Sequence, residues 1–237
     1  MCTVSFFKQA DGGFVFTSNR DETPLRPADA PAKHQYDRGQ WYGPRDPKAG
    51  GTWFGTNLET TVCVLNGAFV KHQHRPPYRR SRGILVPAVL QAESPAAFAA
   101  YYDFEGMEPF TLLVIEHAGE LKALHEMRWD EQQLHHRQLP LDEPVWWQSA
   151  TLYNVEQATL RSRWFESWLA KRVTPPTLEE AMHFHATAGD VGPELNLRMD
   201  RGQVKTTSIT SLQWSPQSAR MHYFDLLQDA QHSLVLF

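Results

Sequence analysis

The second residue of the chain and a polar cluster near residue 20 carry side chains that are suited to nucleophilic chemistry. Cys2, Val4 and Phe6 alternate with polar residues, and this pattern predicts a β-strand. Asp11-Gly12-Gly13 indicates a turn. Residues 14–18 then predict a second strand, which ends in Asn19-Arg20-Asp21-Glu22.

This hairpin would bring a carboxylate to the thiol. With the turn near Asp11 and Gly12, paired residue numbers sum to about 23, to within a few residues. Asp21 is then expected near Cys2, because directly opposed residues of an antiparallel pair lie about 4.5–5.5 Å apart.

The chemistry that this arrangement predicts is specific. If Met1 is removed, Cys2 carries a thiol and an α-amino group, whose reference pKa is about 7.7–8.0. The amine can accept the thiol proton directly or through one water. Asp21 can orient the resulting ammonium, and Arg20 can stabilise negative charge. The alternative is that Cys2 is a small apolar residue at the start of an ordinary strand and that the charges form a solvated turn.

Composition is that of a soluble globular protein. The 237 residues are 41% hydrophobic and 21% charged, and the net charge is -4, which gives no electrostatic basis for binding nucleic acid. No apolar run is long enough to span a bilayer, and Lys8 and Asp11 interrupt any signal-peptide core. Two cysteines make no disulfide framework, so we expect a reducing cytoplasm.

The order of predicted elements is strands, helices, strands, helices, strands, which predicts an α+β fold in a single domain over residues 1–237. Residues 60–65 predict a buried strand ending at Asn66-Gly67, and residues 110–139 predict a three-stranded meander. Residues 156–172 give the clearest helical periodicity. Residues 23–48 are interpreted as a long loop or lid, and residues 140–147 as irregular.

A basic loop spans residues 75–82 and contains Arg75, Arg79, Arg80 and Arg82. It either receives an anionic substrate group or is a solvated connection. His72 and His74 precede it with a spacing of two, but no third ligand accompanies them, and we predict no metal site and no cofactor.

Five short motifs are spread over the first third of the chain: Met1-Cys2-Thr3, Asn19-Arg20-Asp21-Glu22, Gly50-Gly51-Thr52-Trp53-Phe54-Gly55, Leu65-Asn66 and Ser81-Arg82-Gly83. In this order they resemble the motifs of the NRDE family, which is the family of transport and Golgi organisation 2 proteins. Looser matches follow at Leu152-Tyr153-Asn154 and Lys205-Thr206-Thr207-Ser208.

This family is similar in turn to N-terminal nucleophile hydrolases of the choloylglycine and penicillin acylase type. The resemblance implies a four-layer αββα sandwich and the cleavage of a non-peptide linear amide through a thioester on Cys2. It implies that Asp21 partners the Cys2 amine, that the backbone amide of Asn66 and the side chain of Asn154 bind the oxyanion, and that Arg20 acts nearby. Asn154 has an alternative role as the cap of the helix that follows it.

The same resemblance predicts that Asn19, Trp53, Arg82 and Ser208 bind substrate. Two departures affect the catalytic set. Choloylglycine-type enzymes carry their arginine three residues before the aspartate, where this chain has Ser18. Arg20 is expected to face away from Asp21, so it is either structural or acts only if the strand has ended before it. The late strand has Lys205 or Ser208 in the region of a second arginine.

The resemblance leaves a second function open. NRDE proteins have been linked to haem trafficking and lipid handling, so the chain is alternatively a carrier that binds a small amphipathic ligand such as haem. Haem would need a Cys or His ligand, and Cys2 could serve. A purely structural role fits the unusual N-terminus least, and the sequence leaves the oligomeric state open.

Overall fold

The computed structural model describes residues 3–36 and 39–237. Cys2, the predicted nucleophile, lies outside them. The described residues form an α+β fold with two antiparallel sheets and few helices, and these elements fall into two compact units. We describe each unit by itself, and the single domain over residues 1–237 stays a prediction.

The first unit contains residues 3–27, 142–148 and 153–237. It has six antiparallel strands: β1 Thr3–Lys8, β2 Phe14–Glu22, β10 Val145–Gln148, β11 Lys205–Ser215, β12 Ser218–Asp225 and β13 Ala230–Val235. Their order in the sheet is β10-β1-β2-β11-β12-β13. Two helices accompany this sheet, α3 Val155–Leu169 and α4 Leu178–Thr187.

One face of this sheet is covered by the two helices through an aromatic core. Phe7 of β1 and Val15 of β2 pack with Phe165 of α3 and Phe184 of α4, and all four are buried. Both helices begin with a capping box, at Asn154 and Thr177. The aromatic core holds α3 against this sheet, and the capping box at Asn154 fixes the residue at which α3 begins.

The second unit contains residues 28–36, 39–141 and 149–152. Its seven antiparallel strands follow chain order: β3 Asp29–Tyr36, β4 Gly39–Arg45, β5 Phe54–Thr56, β6 Thr60–Asn66, β7 Phe110–Glu116, β8 Ala123–Trp129 and β9 Leu134–Leu139. A 3₁₀ turn at Arg82–Ile84 leads into α1 Leu85–Leu90, which packs on β5 and β6, and α2 Pro95–Tyr101 follows. The predicted meander and the buried strand before Asn66 are confirmed.

Two irregular segments of the sequence are in fact strands. Residues 23–48, predicted as a loop or lid, contain the β3–β4 hairpin. Position 43 in β4 requires glycine, because a Cβ there would collide with the Phe54 carbonyl oxygen. Glycine has a low β-propensity, so the local sequence does not indicate this strand. Residues 140–147 contain most of β10, which exists through its pairing with β1.

No helix in the described part of the chain is both long enough and apolar enough to cross a membrane. The longest helix of the described residues, α3, has 15 residues.

Candidate active site

The hairpin predicted around residues 11–13 is present, with a slightly different register. Thr3 pairs with Asn19 and Lys8 with Phe14, so the strands are offset by one residue from the predicted pairing. The cause is a five-residue connection, which closes through a hydrogen bond from Gln9 N to Gly13 O. The end of β2 that carries the polar cluster lies beside the start of β1, but the proximity of Cys2 to Asp21 stays a prediction.

Asp21 is 5% exposed and is held by the central strand β11. Its Oδ1 accepts a 2.6 Å hydrogen bond from the Thr206 hydroxyl. Thr206 Oγ1 in turn accepts a hydrogen bond from Met199 N at 2.9 Å. The carboxylate is therefore fixed by Thr206. In the motif Lys205-Thr206-Thr207-Ser208, the family resemblance points to Lys205 and Ser208 instead.

Arg20 is almost fully buried and its guanidinium binds groups of its own unit. Its Nη1 donates to the Arg26 carbonyl oxygen at 2.8 Å and to Thr207 Oγ1 at 3.1 Å. On β11, Asp21 pairs with Thr206 and Arg20 with Ser208, and the register shifts between these two pairs. These contacts connect β2 with β11 and with the segment that follows β2.

Asn19 is fully buried and uses both ends of its amide. Its Nδ2 donates to the Leu197 and His185 carbonyl oxygens at 2.9 and 3.2 Å. Its Oδ1 lies 2.6 Å from His185 Nδ1, which must therefore be the donor. These bonds join the predicted cluster to α4 and to the loop after it, and the assignment of Asn19 to substrate binding stays a prediction.

His185 extends this network to β1. With Nδ1 protonated, Nε2 accepts a 2.8 Å hydrogen bond from the Ser5 hydroxyl. Burial, with a smaller contribution from the Arg161 charge, lowers the pKa of His185 from 6.5 to about 3, so the ring is neutral. Ser5, His185 and Asn19 have the connectivity of a nucleophile, base and orienting group. All three are 0% exposed, and their hydrogen bonds connect β1, β2 and α4, which indicates a structural role for the Ser5–His185 pair.

Asn154 is exposed and caps α3, as its alternative role predicted. Its Oδ1 accepts from Gln157 N at 2.8 Å, and Gln157 Oε1 accepts from Asn154 N at 3.2 Å. The cap fixes the plane of the Asn154 amide and uses its oxygen, which leaves Nδ2 pointing to the other side as a donor.

A cavity of about 600 Å³ lies beside this cap. It is lined by the first turn of α3 and by the loop after α4: Gln157, Val191, Gly192, Glu194, Leu195, Asp200, Arg201 and Gly202. The lining mixes both signs of charge with amide and apolar groups.

Ser208 lies on β11 and its hydroxyl is buried. Within the described part of the chain, neither Ser208 Oγ nor Thr210 Oγ1 has a hydrogen-bond partner. The two residues are two apart on one strand, so they share a face of the sheet. Buried hydroxyls normally have a partner, and these two can accept one from water or a ligand.

Three predicted site residues lie in the second unit. Trp53 is buried just before β5, and Asn66 ends β6. The amide of Val64 donates to the Trp53 carbonyl oxygen at 3.0 Å. Amide directions alternate along a strand, so the Asn66 amide also points toward the β5 edge, away from the ladder with β7. The Asn66 carbonyl oxygen accepts a 2.8 Å hydrogen bond from Ser149 Oγ.

Arg82 belongs to a charged cluster around Glu108. Arg82 Nη2 lies 3.0 Å from Glu108 Oε2, and His72 Nε2 and His74 Nδ1 lie 3.0 and 3.1 Å from Oε1. Burial raises the pKa of Glu108, but the Arg82 charge and the histidine hydrogen bonds outweigh it and hold the pKa below its ordinary value. Arg79 pairs similarly with Asp103, so part of the predicted basic loop is neutralised locally.

The structure thus places the predicted residues in two groups. Asn19, Arg20, Asp21 and Ser208 lie on the adjacent central strands of the first unit, and Asn154 caps α3 in the same unit. Asn66, Trp53 and Arg82 lie in the second unit. Across residues 3–36 and 39–237, no group of three or more His, Cys, Asp or Glu side chains has an arrangement that could hold a metal ion.

One protein family has a sequence model that fits this chain. The family is described as Transport and Golgi organisation 2, and its model matches residues 1–191. The match includes the N-terminal hairpin, Asn66 and Asn154 and stops before Thr206 and Ser208. No curated protein matches the chain.

Proposed function

Because the chain belongs to the Transport and Golgi organisation 2 family, we propose that it is an N-terminal-cysteine amidohydrolase or acyltransferase that acts on a small non-peptide amide. The finer fold in this proposal is a four-layer αββα sandwich in one domain. Two antiparallel sheets, one accompanied by α3 and α4 and the other by α1, support that architecture.

The observation that carries the proposal is the buried, fixed carboxylate of Asp21 at the end of the hairpin where the chain begins. Thr3 pairs with Asn19, and Thr206 holds Asp21 Oδ1 at 2.6 Å. A carboxylate with restricted motion is suited to orient an N-terminal ammonium, because an ion pair of fixed geometry needs no further ordering.

The reaction has two steps. After removal of Met1, the Cys2 amine takes the thiol proton, and the thiolate attacks the carbonyl carbon of the amide. The C–N bond breaks, the ammonium returns its proton to the leaving amine, and an acyl thioester remains on Cys2. Water, or an acceptor amine or alcohol, then attacks the thioester and gives a proton to the neutral Cys2 amine. The C–S bond breaks, the acid or the acylated acceptor leaves, and the ammonium protonates the departing thiolate. Asp21 orients the ammonium each time it forms.

Each tetrahedral intermediate carries an oxyanion that needs donors. The backbone amide of Asn66 and Nδ2 of Asn154 are the proposed pair, each contributing about 3–4 kcal/mol to the transition state. The direction of the Asn66 amide and the cap that fixes the Asn154 amide both support this assignment.

The other predicted residues have supporting roles. Arg20 connects β2 with β11, and its role in stabilising negative charge is part of the proposal. Ser208 offers a buried hydroxyl to a polar group of the substrate. Asn19, Trp53 and Arg82 are the other proposed substrate-binding residues. A reducing cytoplasm would keep the Cys2 thiol available.

The test compares Cys2 with Cys63, which is fully buried and serves as an internal reference. In untagged protein whose mass shows removal of Met1, iodoacetamide should alkylate Cys2 much faster than Cys63. A panel of small amides should then yield turnover and a thioester adduct on Cys2. Cys2→Ala should abolish both, while Cys63→Ala should retain both. Equal alkylation rates for the two cysteines would refute an activated thiol.

A second candidate function is a non-catalytic carrier for an amphipathic ligand such as haem. A groove of about 370 Å³ between α3 and α4 favours it, because Trp164, Trp168 and Phe184 line it together with Lys171 and His183. Aromatic side chains pack well against an apolar ring system, and histidine is one of the residues that bind haem iron in proteins.

Haem titration separates the two functions. A carrier should give a saturable Soret shift that His183→Ala weakens if this groove binds the ligand, and that Cys2→Ala weakens if Cys2 is the ligand. A titration with no shift in the wild-type protein would exclude haem as the cargo.

A further inference from the structure

We infer that Arg161 is a positioning residue for the N-terminal nucleophile and acts on Cys2 through Thr3. The inference rests on the proposed function. Arg161 lies on α3, outside every motif that the sequence analysis used, and it is one of the largest fully buried side chains of the described chain.

Arg161 contacts the first described residue of the chain. Its Nη2 donates a 2.6 Å hydrogen bond to the Thr3 hydroxyl, and both residues are 0% exposed. Thr3 follows Cys2 directly, and consecutive Cα atoms are about 3.8 Å apart. The guanidinium therefore holds the residue from which Cys2 extends.

The guanidinium is itself fixed from several sides. Nη1 donates to the Leu195 and Asn196 carbonyl oxygens at 2.6 and 2.9 Å. Nε donates to Gln148 Oε1 at 2.9 Å, and Gln148 pairs with Thr3 across the β1–β10 ladder. Arg161 Cζ lies over the Tyr153 ring, 4.1 Å from the ring centroid. A guanidinium group is planar, so hydrogen bonds at all three of its nitrogens hold it in a single orientation.

A fixed, buried cation also has an electrostatic effect on its neighbours. It favours the thiolate of a nearby cysteine and disfavours protonation of a nearby amine. The Arg161 charge also contributes, after burial, to the lowered pKa of His185, another buried residue of the same unit. Both effects on Cys2 increase the fraction of nucleophile that is ready to react at neutral pH.

The same contacts would also suit a purely structural arginine, and a pH profile distinguishes the two roles. The experiment measures the rate of Cys2 alkylation by iodoacetamide from pH 5 to 11 in the full chain. The variants are Arg161→Met, Arg161→Lys and Thr3→Val. Arg172→Met is the matched control, because Arg172 lies in the same unit, over the Trp168 ring, and pairs with Glu180.

We expect Arg161→Met to slow alkylation about tenfold near pH 6–7, which corresponds to a shift of about one pKa unit, and to match the wild type at high pH, where every thiol is ionised. Arg161→Lys should recover most of the loss, because it restores the charge. Thr3→Val should slow the alkylation of Cys2 at neutral pH, because it removes the hydrogen bond between Arg161 and Thr3. Arg172→Met should leave the pH profile of alkylation unchanged.

The inference would be overturned if the pH profiles of Cys2 alkylation superimposed for Arg161→Met and the wild type, or if Arg161→Met slowed alkylation equally at every pH. Either result would leave the proposed function intact. If Arg161→Met unfolds, which faster alkylation of Cys63 would reveal, Thr3→Val decides: an unchanged profile overturns the inference. A wild-type Cys2 no faster than Cys63 would overturn the proposed function itself, and the inference with it.

Discussion

Thr206 Oγ1 lies 2.6 Å from Asp21 Oδ1 and donates a buried hydrogen bond to a carboxylate. The two residues are 185 positions apart in the chain, yet they pair directly across β2 and β11. The bond is thus the point at which the late part of the chain fixes the acidic residue of the N-terminal hairpin.

Thr206→Val should reduce the free energy of unfolding by about 1.5–3 kcal/mol, the typical contribution of a hydrogen bond to a charged group. Valine keeps the shape but removes the donor and leaves Met199 N without its acceptor. Urea denaturation measures the change. Thr206→Ser should restore most of it, and Thr159→Val, at an exposed position of α3, should change stability by less than about 0.5 kcal/mol. Equal stability of the Val variant and the wild type would contradict this role.

Asp21→Asn should slow amide cleavage about hundredfold or more, since it removes the charge that orients the ammonium and keeps the side-chain size. Its amide oxygen can still accept from Thr206, so the fold should persist. The measurement is the single-turnover rate on an anilide that the wild type cleaves. Glu22→Gln is the control, because Glu22 is the adjacent carboxylate and binds Thr23 N and Arg26 instead. Similar losses in both variants would argue against a specific role for Asp21.

Asn154 combines two roles that substitutions can separate. Asn154→Asp should keep the cap, because Asp and Asn cap helices about equally well, but it removes the amide donor. We therefore expect near wild-type stability and a loss of about 10²–10³ in kcat. Asn154→Ala should lose the same activity and also about 1 kcal/mol of stability.

Thr177→Ala provides the comparison for Asn154, since it removes the equivalent capping box from α4. It should cost similar stability and leave kcat unchanged. An Asn154→Asp variant with full activity would show that Asn154 is a cap only.

Local signals account for what the sequence predicted correctly. Turn signals separate the three strands of the meander, β7 to β9, and the helical periodicity of residues 156–172 indicates α3. The motif residues also identified the family. These features depend on neighbours in the chain, so they can be found without the fold.

Features that depend on distant residues were missed. β10 was predicted as irregular because its strand character comes from pairing with β1, more than 130 residues earlier. The bonds from Thr206 to Asp21 and from Asn19 to His185 span 185 and 166 positions. Thr and His are common residue types, and nothing in their local pattern indicates which distant side chain they meet.

The neutral histidines of the interior give a pH dependence with a definite sign. His185 is buried and its pKa falls from 6.5 to about 3 in the folded chain, mainly through burial. An unfolded chain therefore binds a proton near pH 6.5 that the folded chain does not bind until about pH 3. Stability from this group is complete above pH 6.5 and is lost as the pH falls toward 3.

Between about pH 3 and 6.5, each buried histidine of this kind adds about 1.4 kcal/mol per pH unit to the slope of the free energy of unfolding against pH. His117 in the second unit, whose pKa burial also lowers to about 3, adds a second contribution of the same sign. Urea denaturation at pH 7, 6 and 5 measures the slope. His185→Gln and His117→Gln should each flatten it by one proton's contribution, and the double variant by two, because a glutamine does not titrate. A slope unchanged by His185→Gln would mean that this ring accepts a proton in the folded protein, contrary to its burial between Ser5 and Asn19.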